Sequence, residues 1–151
     1  LGLSEQIQRE MAAAVKAKDK GRLSALRMIR ASLQNREIER RGPLTEAEEV
    51  GVLASLVKRS RESIEQFRLG KREDLVRKEE AELQVVLSFM PAQLEEREVR
   101  EALLNIVQTT GAKGPKDLGK VMKAAMDRFK GKADGRIVQQ MAKEILSAQG
   151  D

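Results

Sequence analysis

Apolar residues recur along this chain at helical spacing throughout, which predicts α-helices from one end to the other. Four are expected before Pro91. The first opens at Ser4 and ends near Asp19–Gly21, with Ile7, Met11 and Val15 on one face. The second runs from about Arg22 to Arg41 with Leu23, Leu26, Ile29, Leu33 and Ile38 inward, and Gly42-Pro43 breaks it. Thr45 starts the third, and Glu48 three residues on completes a capping-box pattern. Its buried stripe is Val50, Leu53, Leu56, Val57, Ser60, Ile64 and Phe67, and Gly70 ends it. The fourth begins near Arg72–Asp74 and buries Leu75, Val76, Leu83, Val86, Leu87 and Met90.

Pro91 interrupts that pattern, because the residue before a proline is pushed out of the helical region. A domain boundary is expected there. Three shorter helices follow. The fifth spans about 95–109, with Val99, Leu103, Ile106 and Val107 inward. The sixth opens at Gly114-Pro115, since Pro suits the first helical position, and buries Leu118, Val121, Met122, Ala125 and Phe129. The seventh opens at Asp134, a good N-cap, and buries Ile137, Val138, Met141, Ile145 and Leu146. The expected fold is all-α: a helical domain over 1–90, then a three-helix bundle over 91–151.

Composition narrows the chemistry more than the fold. Only Phe67, Phe89 and Phe129 are aromatic, so the core must be built from Leu, Val, Ile, Met and Ala. There is no Cys, which rules out disulfides and thiol chemistry. There is no His either, so Ser–His–Asp, Cys–His and His-based zinc sites are excluded. Glu79 and Glu82 lie one helical turn apart, but a di-iron bundle needs a Glu-x-x-His motif, so no metal and no cofactor is expected. No 18-residue apolar run or charged-then-apolar leader appears, which reads as a cytosolic protein with no membrane partner.

The net charge of +5 is modest, but its distribution is uneven. Residues 16–41 carry nine Lys/Arg against three Asp/Glu, and residues 111–143 repeat that ratio. Two basic zones point to a polyanionic partner.

Three ordered motifs resemble the GatB/YqeY family. The first is Leu23-Ser-Ala-Leu-Arg-Met-Ile-Arg-Ala-Ser-Leu-Gln-Asn35 with Glu37-Ile38. The second is Ser63-Ile-Glu-Gln-Phe67, then Gly70, Arg72, Asp74-Leu75-Val76, Lys78-Glu79 and Glu82-Leu83, closing on Phe89-Met-Pro-Ala-Gln-Leu94. The third is Asp117-Leu-Gly-Lys-Val-Met-Lys123, then Lys130-Gly-Lys-Ala-Asp-Gly135 and Val138. Met90 stands where the family has Leu before the proline, and Leu94 and Gly114 stand near positions where it often has Ser. The resemblance implies a helical N-terminal half joined to a tail like that of GatB, a subunit of the glutamine-dependent tRNA amidotransferase. There the tail helps hold tRNA. It also implies a family label of carbon–nitrogen ligase with glutamine as amido-N-donor. Ammonia release and side-chain activation belong to amidotransferase modules that this chain lacks, so no intrinsic activity and no catalytic residue is expected.

The candidate RNA-binding residues are Lys113, Lys116, Lys120, Lys123, Lys130, Lys132 and Arg136. On an ideal helix Lys116, Lys120, Lys123 and Lys130 fall within about 80° of one another, opposite the apolar stripe, with Asp127 interrupting the row. The start of the seventh helix offers backbone N–H groups to an anion, unless Asp134 satisfies them itself. Gly119, inside the sixth helix, implies a close approach by another helix or by an RNA backbone. With no aromatics beside these lysines, binding would follow the backbone and shape of a folded RNA such as tRNA rather than stack single-stranded bases. Arg27 and Arg30 are expected to pair with glutamates of the third helix. Two other readings compete: an amidotransferase, which would need a nucleophile that no motif here supplies, and a helical adaptor docking a protein through the N-terminal helices.

Overall fold

The computed structural model describes residues 2–129 and 131–149. Among them there are seven α-helices, one 3₁₀ turn and no strand. The chain falls into two compact units, Leu1–Met90 and Pro91–Asp151.

The first unit holds α1 (Leu3–Lys16), α2 (Lys20–Arg40), α3 (Glu46–Leu69) and α4 (Glu73–Leu87). Here α2 packs on α1, α3 and α4, and α3 lies along α4. Ile7, Leu26, Ile29, Leu53 and Val86 are almost wholly withdrawn from solvent at its centre. Each such side chain stabilises the unit by roughly 1.5–3 kcal/mol through burial. The start of α3 is set locally: the Thr45 hydroxyl accepts from the Glu48 N–H, and the Glu48 carboxylate accepts from the Thr45 N–H.

Three features of this unit depart from the periodic reading. Val15 and Ile38 are exposed, at 59% and 74%. Ile38 lies nine residues beyond Ile29, which on a 3.6-residue helix is the opposite face. On α1 the buried position is Ala14, whose small side chain sits inside the core cluster of the unit. The helix ends also differ. α1 stops at Lys16, and α2 starts at Lys20 because the Asp19 carboxylate caps the Arg22 N–H at 3.0 Å. The left-handed residues that close α1, α2 and α3 are Lys18 (φ 57°), Arg41 (φ 63°) and Lys71 (φ 55°), not Gly42 or Gly70. Each is followed by an N–H that reaches five residues back: Asp19 to Ala14, Gly42 to Glu37 and Arg72 to Phe67.

The second unit packs α5 (Glu96–Thr110), α6 (Leu118–Phe129) and α7 (Gly135–Gln149) against one another. Leu103, Val121, Phe129, Val138 and Leu146 form its buried centre. The apolar positions expected for α5 are all buried, whereas Ile137 of α7 is 43% exposed. The sixth helix does not open at Pro115. Pro115–Asp117 is a 3₁₀ turn, tightened by Asp117, whose N–H reaches the Gly114 carbonyl and whose carboxylate accepts from the Lys113 N–H at 2.9 Å.

Candidate nucleic-acid interface

The α6 stripe of Val121, Ala125 and Phe129 turns inward, flanked by the partly buried Leu118, Met122, Ala124 and Met126, which leaves the opposite side of the helix to solvent. Lys120 and Lys123 stand one turn apart on that outer surface, both exposed. Lys113 and Lys116 are exposed on the turn that leads into it. Because Lys116 belongs to the 3₁₀ turn, it does not continue the α-helical row, so the expected row is a helical pair preceded by a turn-borne pair. Among the described residues, no carboxylate comes within ion-pair distance of Lys113, Lys116, Lys120 or Lys123.

The remaining expected residues divide differently. Lys132 lies beyond the far end of α6, roughly 18 Å along the helix from its start. With Arg128 it lines an open cleft of about 480 Å³ that also carries Glu98, Glu101 and Asn105 of α5. Those carboxylates would oppose a polyanion, so the surroundings of Lys132 suit a phosphate less well than those of Lys120 and Lys123. Arg136 is exposed at the start of α7. Lys130 falls outside the described residues.

Two expectations about this region are corrected. The N-terminus of α7 is not an open anion site, because the Asp134 carboxylate already accepts from the Arg136 N–H at 3.0 Å. Gly119 makes room for no helix of its own unit among the described residues: a Cβ placed there would meet nothing within 4 Å.

Charge is used in another way in the first unit. Arg22 of α2 pairs with Glu10 of α1, and Arg40 of α2 pairs with Glu48 of α3 at 2.6 Å. Arg68 of α3 reaches Glu80 of α4 at 2.7 Å. The hydrogen bond from Arg40 holds the Glu48 carboxyl below its ordinary range. Burial, and then the neighbouring Glu82, push Glu79 the other way. The expected pairing of Arg27 and Arg30 with α3 glutamates is not made, and both side chains are exposed. Arg22 and Arg40 pair instead, near the two ends of α2, where Glu10 of α1 and Glu48 at the start of α3 come within reach. Among the described residues, no helix is long and apolar enough to cross a membrane.

Comparison with known proteins gives a consistent picture. A protein from Pyrenophora tritici-repentis named "Altered inheritance of mitochondria protein 41, mitochondrial" is 30% identical over 148 residues, spanning 95% of this chain and 81% of that protein. A protein of the same name from Eremothecium gossypii is 33% identical over 87 residues, 57% of this chain and 48% of its own length. The family model described as Yqey-like protein matches residues 4–146, through both helical units. The chain therefore belongs to the YqeY-like family.

Proposed function

We propose that this protein binds folded RNA, tRNA foremost, through the lysines of α6 and the turn before it, and acts as an accessory without chemistry of its own. The observation that carries this reading is the set Lys113, Lys116, Lys120 and Lys123, exposed and paired with no carboxylate among the described residues. Lysines held this way can displace counterions from phosphates without first breaking an ion pair. The resemblance of residues 117–138 to the tail of GatB favours tRNA over other folded RNAs. Gly119 supports the same surface, since its open side leaves space for a sugar–phosphate backbone beside Lys120 and Lys123. A cytosolic location belongs to this proposal, and fractionation of the native protein against mitochondria tests it.

The test of the interface is the Lys120→Glu/Lys123→Glu double variant. It should lose tRNA binding by at least about tenfold, since two phosphate contacts become repulsions, while its helical circular dichroism is unchanged. Gly119→Ala separates the two roles of that position. It should stabilise the helix by roughly 0.5–1 kcal/mol and still weaken tRNA binding. Wild-type tRNA affinity in the double variant would overturn the proposal.

A further inference from the structure

The long motif on α2 contains the two arginines that the packing of the unit leaves unused. Lys20, Ser24, Arg27, Arg30, Ala31, Gln34 and Ile38 are all exposed, and at 100° per residue they share one side of the helix. No acidic residue occurs in α2 before Glu37. Among the described residues, neither Arg27 nor Arg30 pairs with a carboxylate. Beside this face, α1 and α2 enclose a cleft of about 290 Å³. It is lined by the buried Ile7 and Leu33 and by the polar Ser4, Gln8, Arg30, Gln34 and Glu37.

This surface is cationic, like that of α6, but its composition differs. The α6 face presents lysines. The α2 face carries a single lysine, Lys20, at its start and otherwise combines arginines, an amide, small residues and Ile38, which is 74% exposed. Arginine with apolar residues is the signature of protein–protein contacts, from which lysine is depleted. Ser24 and Ala31 set no long side chain between α2 and a helix laid along it. The cleft has room for one large apolar side chain, the kind of anchor that dominates such interfaces.

We propose that the outer face of α2 docks an acidic amphipathic helix of a partner protein, with its carboxylates on Arg27 and Arg30 and one apolar side chain in the α1–α2 cleft. The arginines supply forked donors that match carboxylates bidentately. Glu37, near the C-terminal end of α2, disfavours a partner carboxylate on that side of the cleft. This inference is independent of the RNA reading.

The test is an amide-resolved NMR titration of the full chain with three probes: a designed amphipathic helical peptide bearing Glu on one flank and a Leu anchor, its Lys-for-Glu counterpart, and a short RNA duplex. The acidic peptide should shift amides between Lys20 and Ile38 and leave α6 unmoved, although α6 is just as cationic. The Lys peptide should shift neither face. Arg27→Glu/Arg30→Glu should weaken acidic-peptide binding by more than about tenfold, and Arg27→Lys/Arg30→Lys by an intermediate factor, because charge remains but the fork is lost. Both positions are exposed, and circular dichroism of each variant checks that the fold persists. The proposal is overturned if the acidic peptide prefers α6, or if the arginine variants bind it unchanged. It is also overturned if the RNA duplex shifts α2 as strongly as α6, which would make α2 a second nucleic-acid surface.

Discussion

The two units of this protein carry similar net positive charge, but the first commits more of its arginines to pairs between helices. In the first, Arg22, Arg40 and Arg68 each tie one helix to another through a carboxylate, while Arg27 and Arg30 pair with no carboxylate among the described residues. In the second, Arg100 reaches Glu144 at 3.7 Å, and among the described residues no carboxylate pairs with the side chains of Lys113, Lys116, Lys120 or Lys123. Arginine and lysine differ in the way this division requires. A guanidinium forks onto a carboxylate in fixed geometry, whereas an ammonium on a flexible stem keeps its hydration and remains open to a mobile polyanion. Charge that stabilises the fold and charge that awaits a partner can therefore be told apart by their neighbours, not by their number.

The helix ends show the same contrast. α5 closes on Gly111 at φ 70°, where a glycine costs no strain. The first unit closes three helices on Lys18, Arg41 and Lys71, residues for which the left-handed region is unfavourable.

The largest expected effect tests whether the second unit depends on its small core. Phe129 is its largest fully buried side chain, so Phe129→Ala should cost about 3–5 kcal/mol. Hydrogen exchange should show protection lost first across α5, α6 and α7. Equal loss in α1–α4 would show that the units do not melt separately.

Strain at the helix ends comes next. Lys71→Gly should stabilise the protein by about 1 kcal/mol, measured by denaturant unfolding, because it removes a left-handed non-glycine residue. The equivalent change at Lys116, which does not adopt positive φ, should give no such gain. If Lys71→Gly destabilised the chain, the side chain would be holding a contact that outweighs its strain.

The smallest stability effect separates the two uses of charge. Arg40→Ala should lower stability only slightly, as for other solvent-accessible pairs, and leave RNA affinity alone. Lys120→Ala should do the reverse. An Arg40→Ala variant that lost RNA binding would erase the distinction.

Where local rules decide the structure, the sequence was readable. Thr45 with Glu48 marks the start of α3, Asp134 caps α7, and the α5 stripe from Val99 to Val107 faces inward as its spacing requires. Tertiary context decided the rest. Gly42 and Gly70 draw attention as helix terminators, yet the left-handed turn falls one residue before the first and one residue after the second. Ile38 reads as core by hydrophobicity, although its angle from Ile29 already sets it on the outer face. The choice of Arg22 and Arg40 over Arg27 and Arg30 as pairing residues depends on which helices lie beside α2, and no spacing along the chain encodes that. For the candidate interface, the exposure of Lys120 and Lys123 opposite the apolar stripe was legible, but the 3₁₀ turn at Pro115–Asp117 and the acidic surroundings of Lys132 were not.

The central claim, that the lysines of α6 contact phosphates, is tested most directly by tRNA affinity across a salt series for the wild type and for Lys120→Ala/Lys123→Ala. Each phosphate contact contributes about 0.7–0.9 to the log–log slope, so removing two should flatten it by roughly one to two units. The loss should be equal for tRNAs of different sequence, since phosphate contacts position an RNA without reading it. An unchanged slope in the variant, or tighter wild-type binding to unstructured RNA than to tRNA, would contradict the account.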